Sequence, residues 1–391
     1  MTDVTTALKR QLDAFDLPAG VHYLNCAYMS PLLREVETAG IEGIRRKRRP
    51  YEIGPQDFFE DSDRLRSSFA GLIGGDDPTR VAIIPSVSYG ITTAARNLGA
   101  APGSRIVVLA EQFPSNVYPW RRLAAESGAE LHTVEAPSTA GSRGLAWNEA
   151  LLAAIDERTS VVAVPHYHWM DGTRFDLAAA GERARAVGAA LVVDGTQSVG
   201  AAPFDVSSIR PDALVCAGYK WLLGPYSIGM AWYGDRFDGG VPLEETWTSR
   251  PQSHDFRRVG DYRDDYRSGA VRYDVGERSN FILVPMQLAA IQRISAWTPE
   301  GIQAYCRSIV RQPIQRALEL GLSVESEEWR GSHLFGLRLP DGVDPSELGP
   351  ELEKRSVSVS LRGSAVRVAP NVYNGEDDLW ALLEAVRAAL G

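Results

Sequence analysis

The chain has 391 residues, 44% of them hydrophobic, which suits one large domain with a smaller one beside it. Its formal net charge of −9 argues against the basic face that nucleic-acid or anionic-membrane partners require. The three cysteines, Cys26, Cys216 and Cys306, fall in no CxxC or Cys/His spacing, so neither a disulfide framework nor a zinc or other metal site is expected, and a reducing, cytoplasmic setting is.

The first residues lack the apolar core of a signal peptide, and no run of about 18 apolar residues predicts a membrane span. Residues 4–15 mix apolar and charged side chains and predict a short helix. An extended segment follows through Asn25 and Tyr28, then a loop at Pro31; a loop Asn is ordinarily a turn residue. Helices are predicted over 32–49, with the basic run 45–49 complementing the helix dipole, and over 57–72, with Pro50 and Gly54-Pro55 between them. From about residue 80 short apolar runs alternate with helical stretches. The runs are Val81–Ile84, Ile106–Leu109, Leu131–Val134, Val161–Val164, Ala190–Val193, Ala213–Cys216 and Ile228–Tyr233. The helices among them include 89–97 and 120–127. This alternation predicts an α/β fold with a mostly parallel sheet covered on both faces. Residues 240–275 carry few apolar runs, and a loop of that length is ordinarily a lid or a partner contact. A helix over 286–296, strands at 334–339, 357–361 and 365–368, and an amphipathic helix over 376–390 are consistent with a second, smaller α/β unit.

The stretch 190–233 places an acid, Asp194, at one strand end and a lysine, Lys220, just beyond another, with Gln197 one turn after the acid. Ligands of parallel sheets bind at the carboxyl ends of strands. An amine and an anion placed there suit pyridoxal phosphate, which needs a Schiff-base nitrogen and a counter-charge for its pyridine nitrogen. A helix-capping Asp and a loop Lys are the plainer alternative. Ser86, Val87 and Ser88 follow the first predicted strand and open a helix, a geometry that serves either a phosphate or an ordinary N-cap. His166 and His168 lie two apart but have no further ligands spaced nearby for a metal. No Gly-x-Gly-x-x-Gly turn follows an early strand, so a nucleotide-binding dehydrogenase is the weaker alternative.

The sequences Asp194-Gly-Thr-Gln197 and Tyr219-Lys220-Trp221-Leu-Leu-Gly-Pro225 resemble the class V aminotransferase family, which includes cysteine desulfurases, isopenicillin-epimerase-like proteins and kynureninase. The resemblance implies the aspartate-aminotransferase-like fold (PLP fold type I) with a seven-stranded mostly parallel sheet. It divides the chain into a large PLP-binding domain over 22–284 and a small domain from 1–21 and 285–391. It also implies that Lys220 is the Schiff-base lysine, that Asp194 pairs with the pyridine nitrogen, and that Gln197 bonds the ring hydroxyl. Tyr219, the Val87 amide and Ser88 fall at phosphate-contacting positions, and Phe113 where a ring stacks on the cofactor. Trp169 stands where desulfurases carry Asn, and it or His168 is a candidate pocket wall. Arg367, seven residues before Asn374, matches the arginine that grips a substrate α-carboxylate, with Arg362 a second candidate. Asn25 and Tyr28 would frame the substrate. Ser279 and Asn280, beside Arg278, fall where the family reaches across a homodimer to the neighbour's phosphate, although the usual Gly-Thr is absent. The stretch 356–366 contains no cysteine, which disfavours a Cys-dependent persulfide mechanism. The expected activity is therefore transamination or C–C/C–S lysis of an amino acid. Epimerisation, a Cys-independent desulfurase-like reaction, and non-catalytic cofactor binding stand as alternatives.

Overall fold

Seven apolar runs of four to seven residues pair into one sheet in the computed structural model, which describes residues 7–138, 143–340, 342–363 and 365–390. In chain order the strands of the whole structure are β1 (His22–Tyr23), β2 (Val81–Ile84), β3 (Arg105–Leu109), β4 (Glu130–Val134), β5 (Thr159–Pro165) and β6 (Ala190–Asp194). They continue with β7 (Ala213–Ala217), β8 (Gly229–Tyr233), β9 (Phe335–Arg338), β10 (Val357–Ser358), β11 (Ser360–Arg362) and β12 (Ala365–Val368). The large sheet has the order β2-β8-β7-β6-β5-β3-β4, and β8 alone runs antiparallel to its neighbours.

The near-continuous apolar strands follow from burial on both faces. Along β6, Ala190 and Val192 enter one core while Leu191 and Val193 enter the other, as the period of two requires. Helices complete both layers, among them Val87–Asn97 and Tyr118–Ser127 on one side and Arg34–Arg46, Glu60–Leu72 and Leu283–Trp297 on the other. β2, β3, β5, β6 and β7 all point their carboxyl ends to the same edge of the sheet.

A third core joins the antiparallel sheet β11-β12-β9 to the helices Pro299–Glu319 and Glu376–Leu390. The N-terminal segment is sewn onto this part. β1 pairs in parallel with β10, and Asn25 bridges to Ala369. Among the described residues no helix is long and apolar enough to cross a membrane.

The helix expected over 4–15 does not form where it is described. Residues 4–6 lie outside the described residues, and beyond them only Leu12–Ala14 makes a single 3₁₀ turn. Tertiary contacts override the local pattern. The Gln11 amide donates to the Val372 carbonyl at 2.7 Å, Phe15 pairs with Leu33, and its ring packs edge-on against Tyr373. The region 240–275 contains only short 3₁₀ turns, at Trp247–Ser249, Phe256–Arg258 and Gly269–Tyr273, as its sparse apolar pattern implied.

Candidate active site

The carboxyl ends of the strands surround a cavity of about 290 Å³. Its walls include Ser86, Val87 and Ser88 after β2, Phe113 after β3, Trp169 after β5, Asp194 and Gln197 at the end of β6, and Tyr219 and Lys220 after β7. Nine residues from five separate segments thus meet at one place.

Lys220 is buried, and desolvation pulls its amine down from 10.5 to about 8 against the opposing pull of Asp194. Its Nζ lies 5.2 Å from the centroid of the Phe113 ring and 5.5 Å from that of Tyr219. The turn that carries it is tightly bonded: the Leu223 amide donates to the Lys220 carbonyl at 3.1 Å and the Gly224 amide to Gly218 at 2.8 Å. Leu223 and Ser227 in the same loop hold positive φ angles of 51° and 68°, a conformation that costs energy in non-glycine residues.

Asp194 is also buried, and burial pushes its carboxyl above the ordinary range, although bonds from Thr196 and the charge of Lys220 oppose this. Its Oδ1 accepts from the Thr196 amide at 3.0 Å. Gln197 is oriented from both ends: its Nε2 donates to the Ala27 carbonyl at 3.2 Å, and its Oε1 accepts from Trp221 Nε1 at 2.7 Å. The helix Val87–Asn97 starts at the cavity, with Ser86 as N-cap; its Oγ accepts from the Tyr89 amide at 3.2 Å and lies 2.9 Å from Ser88 Oγ. Phe113 meets Trp169 edge-on at 5.5 Å, and Trp169 Nε1 donates to the Glu111 carbonyl at 2.7 Å.

Arg367 and Asn25 stand together outside the ring of wall residues. Arg367 is buried; its Nη1 donates to the Trp169 carbonyl at 2.8 Å, and its Nη2 to Asn25 Oδ1 at 3.3 Å and Ser360 Oγ at 3.1 Å. Tyr28 is 58% exposed. His168 is sealed in the core against Trp147, with its Nε2 3.2 Å from the Ala110 carbonyl, so of the two candidate walls only Trp169 reaches the cavity. Ser279 and Asn280 are elsewhere. They line a separate cavity with Phe58 and Trp247, where Ser279 Oγ bonds the Phe58 carbonyl and Asn280 Oδ1 accepts from the Ile282 and Leu283 amides.

Sequence reasoning missed Gln112, Asn116, Thr196 and Tyr226, all of which line the cavity. Gln112 and Asn116 sit four apart after a strand end, a polar pair in a position reserved for ligands, and that spacing was the available signal. Tyr226 offered none, because only the turn after Lys220 brings it back, its ring tilted 4.5 Å from that of Tyr219.

The sequence model of the family described as Aminotransferase class-V matches residues 55–249. An uncharacterized aminotransferase, YcbU, of Bacillus subtilis is 28% identical over 330 residues, 84% of each chain. The isopenicillin N epimerase of Streptomyces clavuligerus is 27% identical over 338 residues, again 84% of each. The chain belongs to the class V aminotransferase family. Among solved structures, a cysteine desulfurase of Escherichia coli superposes with a TM-score of 0.79 at 19% identity, covering 97% of both chains. The cystine C–S lyase C-DES, in complex with its product cysteine persulfide, gives 0.80 at 18% identity, covering 95% of this chain and 98% of the other. The seven-stranded sheet is therefore that of PLP fold type I.

As a class V member the chain is a pyridoxal-phosphate-dependent enzyme, and its residues fit that cofactor. Gln112 Oε1 and Asn116 Nδ2 are buried polar atoms on the cavity wall with no partner among the described residues, so a polar ligand would satisfy them. Asp194 is a buried acid that forms no close ion pair among the described residues, so it could serve a protonated ring nitrogen, and Lys220 is an amine made nucleophilic by desolvation.

Proposed function

We propose that this class V enzyme transforms an amino acid at its α-carbon, by transamination or by lysis of a bond in the side chain. The observation that carries the reading is the pairing of buried Lys220 with buried Asp194 in one cavity at the strand ends. When bound, pyridoxal phosphate supplies an aldehyde carbon and an electron-withdrawing ring. Lys220 Nζ would hold that aldehyde and, once displaced by substrate, accept and return the proton at Cα. Asp194 would keep a proton on the ring nitrogen, and Gln197 Nε2 would donate to the ring hydroxyl with the hydrogen it does not give to Ala27. The N-terminus of the helix Val87–Asn97, with Ser88 and Tyr219, would take the phosphate. Phe113 would cover the ring. Arg367, held by Asn25, would take the substrate carboxylate, with Tyr28 at the rim.

A persulfide relay through a cysteine finds no support: Cys26, Cys216 and Cys306 are all buried, and burial pushes the Cys26 thiol up to about 12. Epimerisation draws on the same proton transfer at Lys220 and is the second reading, since an epimerase is among the relatives. We further propose a cytoplasmic homodimer in which Ser279 and Asn280 face the neighbour's site, with residues 22–284 as the large domain and 1–21 and 285–391 as the small one. The deciding experiment adds single amino acids to the purified holoenzyme and follows its visible spectrum alongside released pyruvate, ammonia, alanine and sulfide. Conversion to the amine form of the cofactor identifies a transaminase, and released product with the aldehyde form retained identifies a lyase. A wild-type-like spectrum in Lys220→Ala would sink the reading.

A further inference from the structure

We infer that the substrate of this site is an amino acid with a second carboxylate on its side chain, and that Arg362 is the residue that receives it. The inference rests on the proposed function above and extends it to substrate class. It starts from the hairpin β11–β12. Ser360 lies opposite Arg367 and Arg362 opposite Ala365, so Arg362, two residues on from Ser360, is the diagonal neighbour of Arg367 on the same face. Diagonal neighbours have Cα atoms about 7–8 Å apart. Two flexible arginines rooted that close on one face can reach the two ends of one small diacid.

Both guanidinium groups address Trp169. Arg367 bonds its carbonyl oxygen at 2.8 Å, and Arg362 stacks over its ring with the carbon 5.2 Å from the centroid. A guanidinium held over an indole by its charge can still offer N–H groups to a planar carboxylate. Arg362 spends few of these: its Nη1 bonds the carbonyl of its own neighbour Leu361 at 3.0 Å, and its buried Nε has no partner among the described residues.

Charge balance leads to the same conclusion. Among the described residues, no carboxylate forms an ion pair with Arg362 or Arg367, whereas neighbouring Arg338 and Arg355 are each paired. Lys220 adds a third positive group whose field overlaps theirs, and Asp194 is the acid that faces it. A single substrate carboxylate on Arg367 leaves the half-buried Arg362 uncompensated, and a second carboxylate removes the imbalance.

The test uses unreactive acids, so it does not depend on turnover. Glutarate and pentanoate, matched in length, are titrated into the holoenzyme by calorimetry and by tryptophan fluorescence, alongside Arg362→Gln and Arg362→Lys. The wild type is expected to bind glutarate tighter than pentanoate by about tenfold or more. Arg362→Gln is expected to bring that ratio close to one, and Arg362→Lys to restore part of it. No preference in the wild type, or an equal loss for both acids in Arg362→Gln, would overturn the inference and leave Arg362 as a clamp on Trp169. The Lys220-dependent visible band is recorded on the same samples. Its absence would count against the proposed chemistry, while the ratio of the two acids would still decide the inference.

Discussion

A lysine pressed into a dry pocket changes when it can react. Burial brings the Lys220 amine to about 8, so the neutral form dominates above that pH and the charged form below it. Capture of free cofactor by the apoenzyme should therefore accelerate up to about pH 8 and level off there, rather than continue to rise towards 10.5. Stopped-flow absorbance across pH 6–10 checks this. Asp194→Asn removes the negative charge but keeps the shape; turnover should fall by about 10- to 100-fold, with a smaller effect on cofactor retention. Asp194, Gln197 and Lys220 were legible because each follows a short apolar run bounded by glycine or a turn, and strand ends are where such side chains meet. Gln112 and Asn116 were not, because their importance lies in atoms left unbonded by the fold, and no sequence pattern records an unmet hydrogen bond.

At the scale of the element, the turn around Lys220 depends on a glycine outside it. Gly200 has φ +100°, and a Cβ there would lie 2.3 Å from the Trp221 carbonyl oxygen, one residue from the reactive amine. Gly200→Ala should cost about 1–3 kcal/mol in thermal or denaturant unfolding and should weaken cofactor retention as well. The strands of the large sheet were readable to within two residues; for all but the half-exposed edge strand β4, burial on both faces leaves runs of apolar side chains. The short helix expected near the N-terminus failed for the opposite reason. A dozen residues of mixed character carry little intrinsic helicity, and the hydrogen bond to Val372 and the contact with Tyr373 decide their path. The strand run 357–361 splits into β10 and β11, serving two different sheets, and that division depends on partners far away in sequence.

For the molecule as a whole, acid is a predictable weakness. His333 is buried and His166 half-buried with its Nδ1 sealed off, and desolvation lowers them from 6.5 to about 4 and about 3 respectively. Their folded-state values are depressed, so the stability they confer is present above pH 6.5 and is lost as the pH falls towards 4 and 3, because the unfolded chain takes up protons that the folded one refuses. The unfolding temperature should decline over that window, and less steeply in His333→Gln. A second vulnerable centre lies at Asp274, whose carboxylate pairs with Arg66 and Arg278 deep in the protein. Asp274→Ala leaves buried Arg278 without its anion and Arg66 with only the half-exposed Asp63, and should cost about 3–5 kcal/mol, read by urea unfolding.

The bridge between Asn25 and Ala369 also sets an order of events during synthesis. Every residue on the cavity wall has been made by Ile228, but β8, which joins β2 to β7, and Gln287, which bonds the Leu222 carbonyl beside Lys220, come after it. Asn25, by contrast, waits through more than three hundred further residues before Arg367 arrives to bond it.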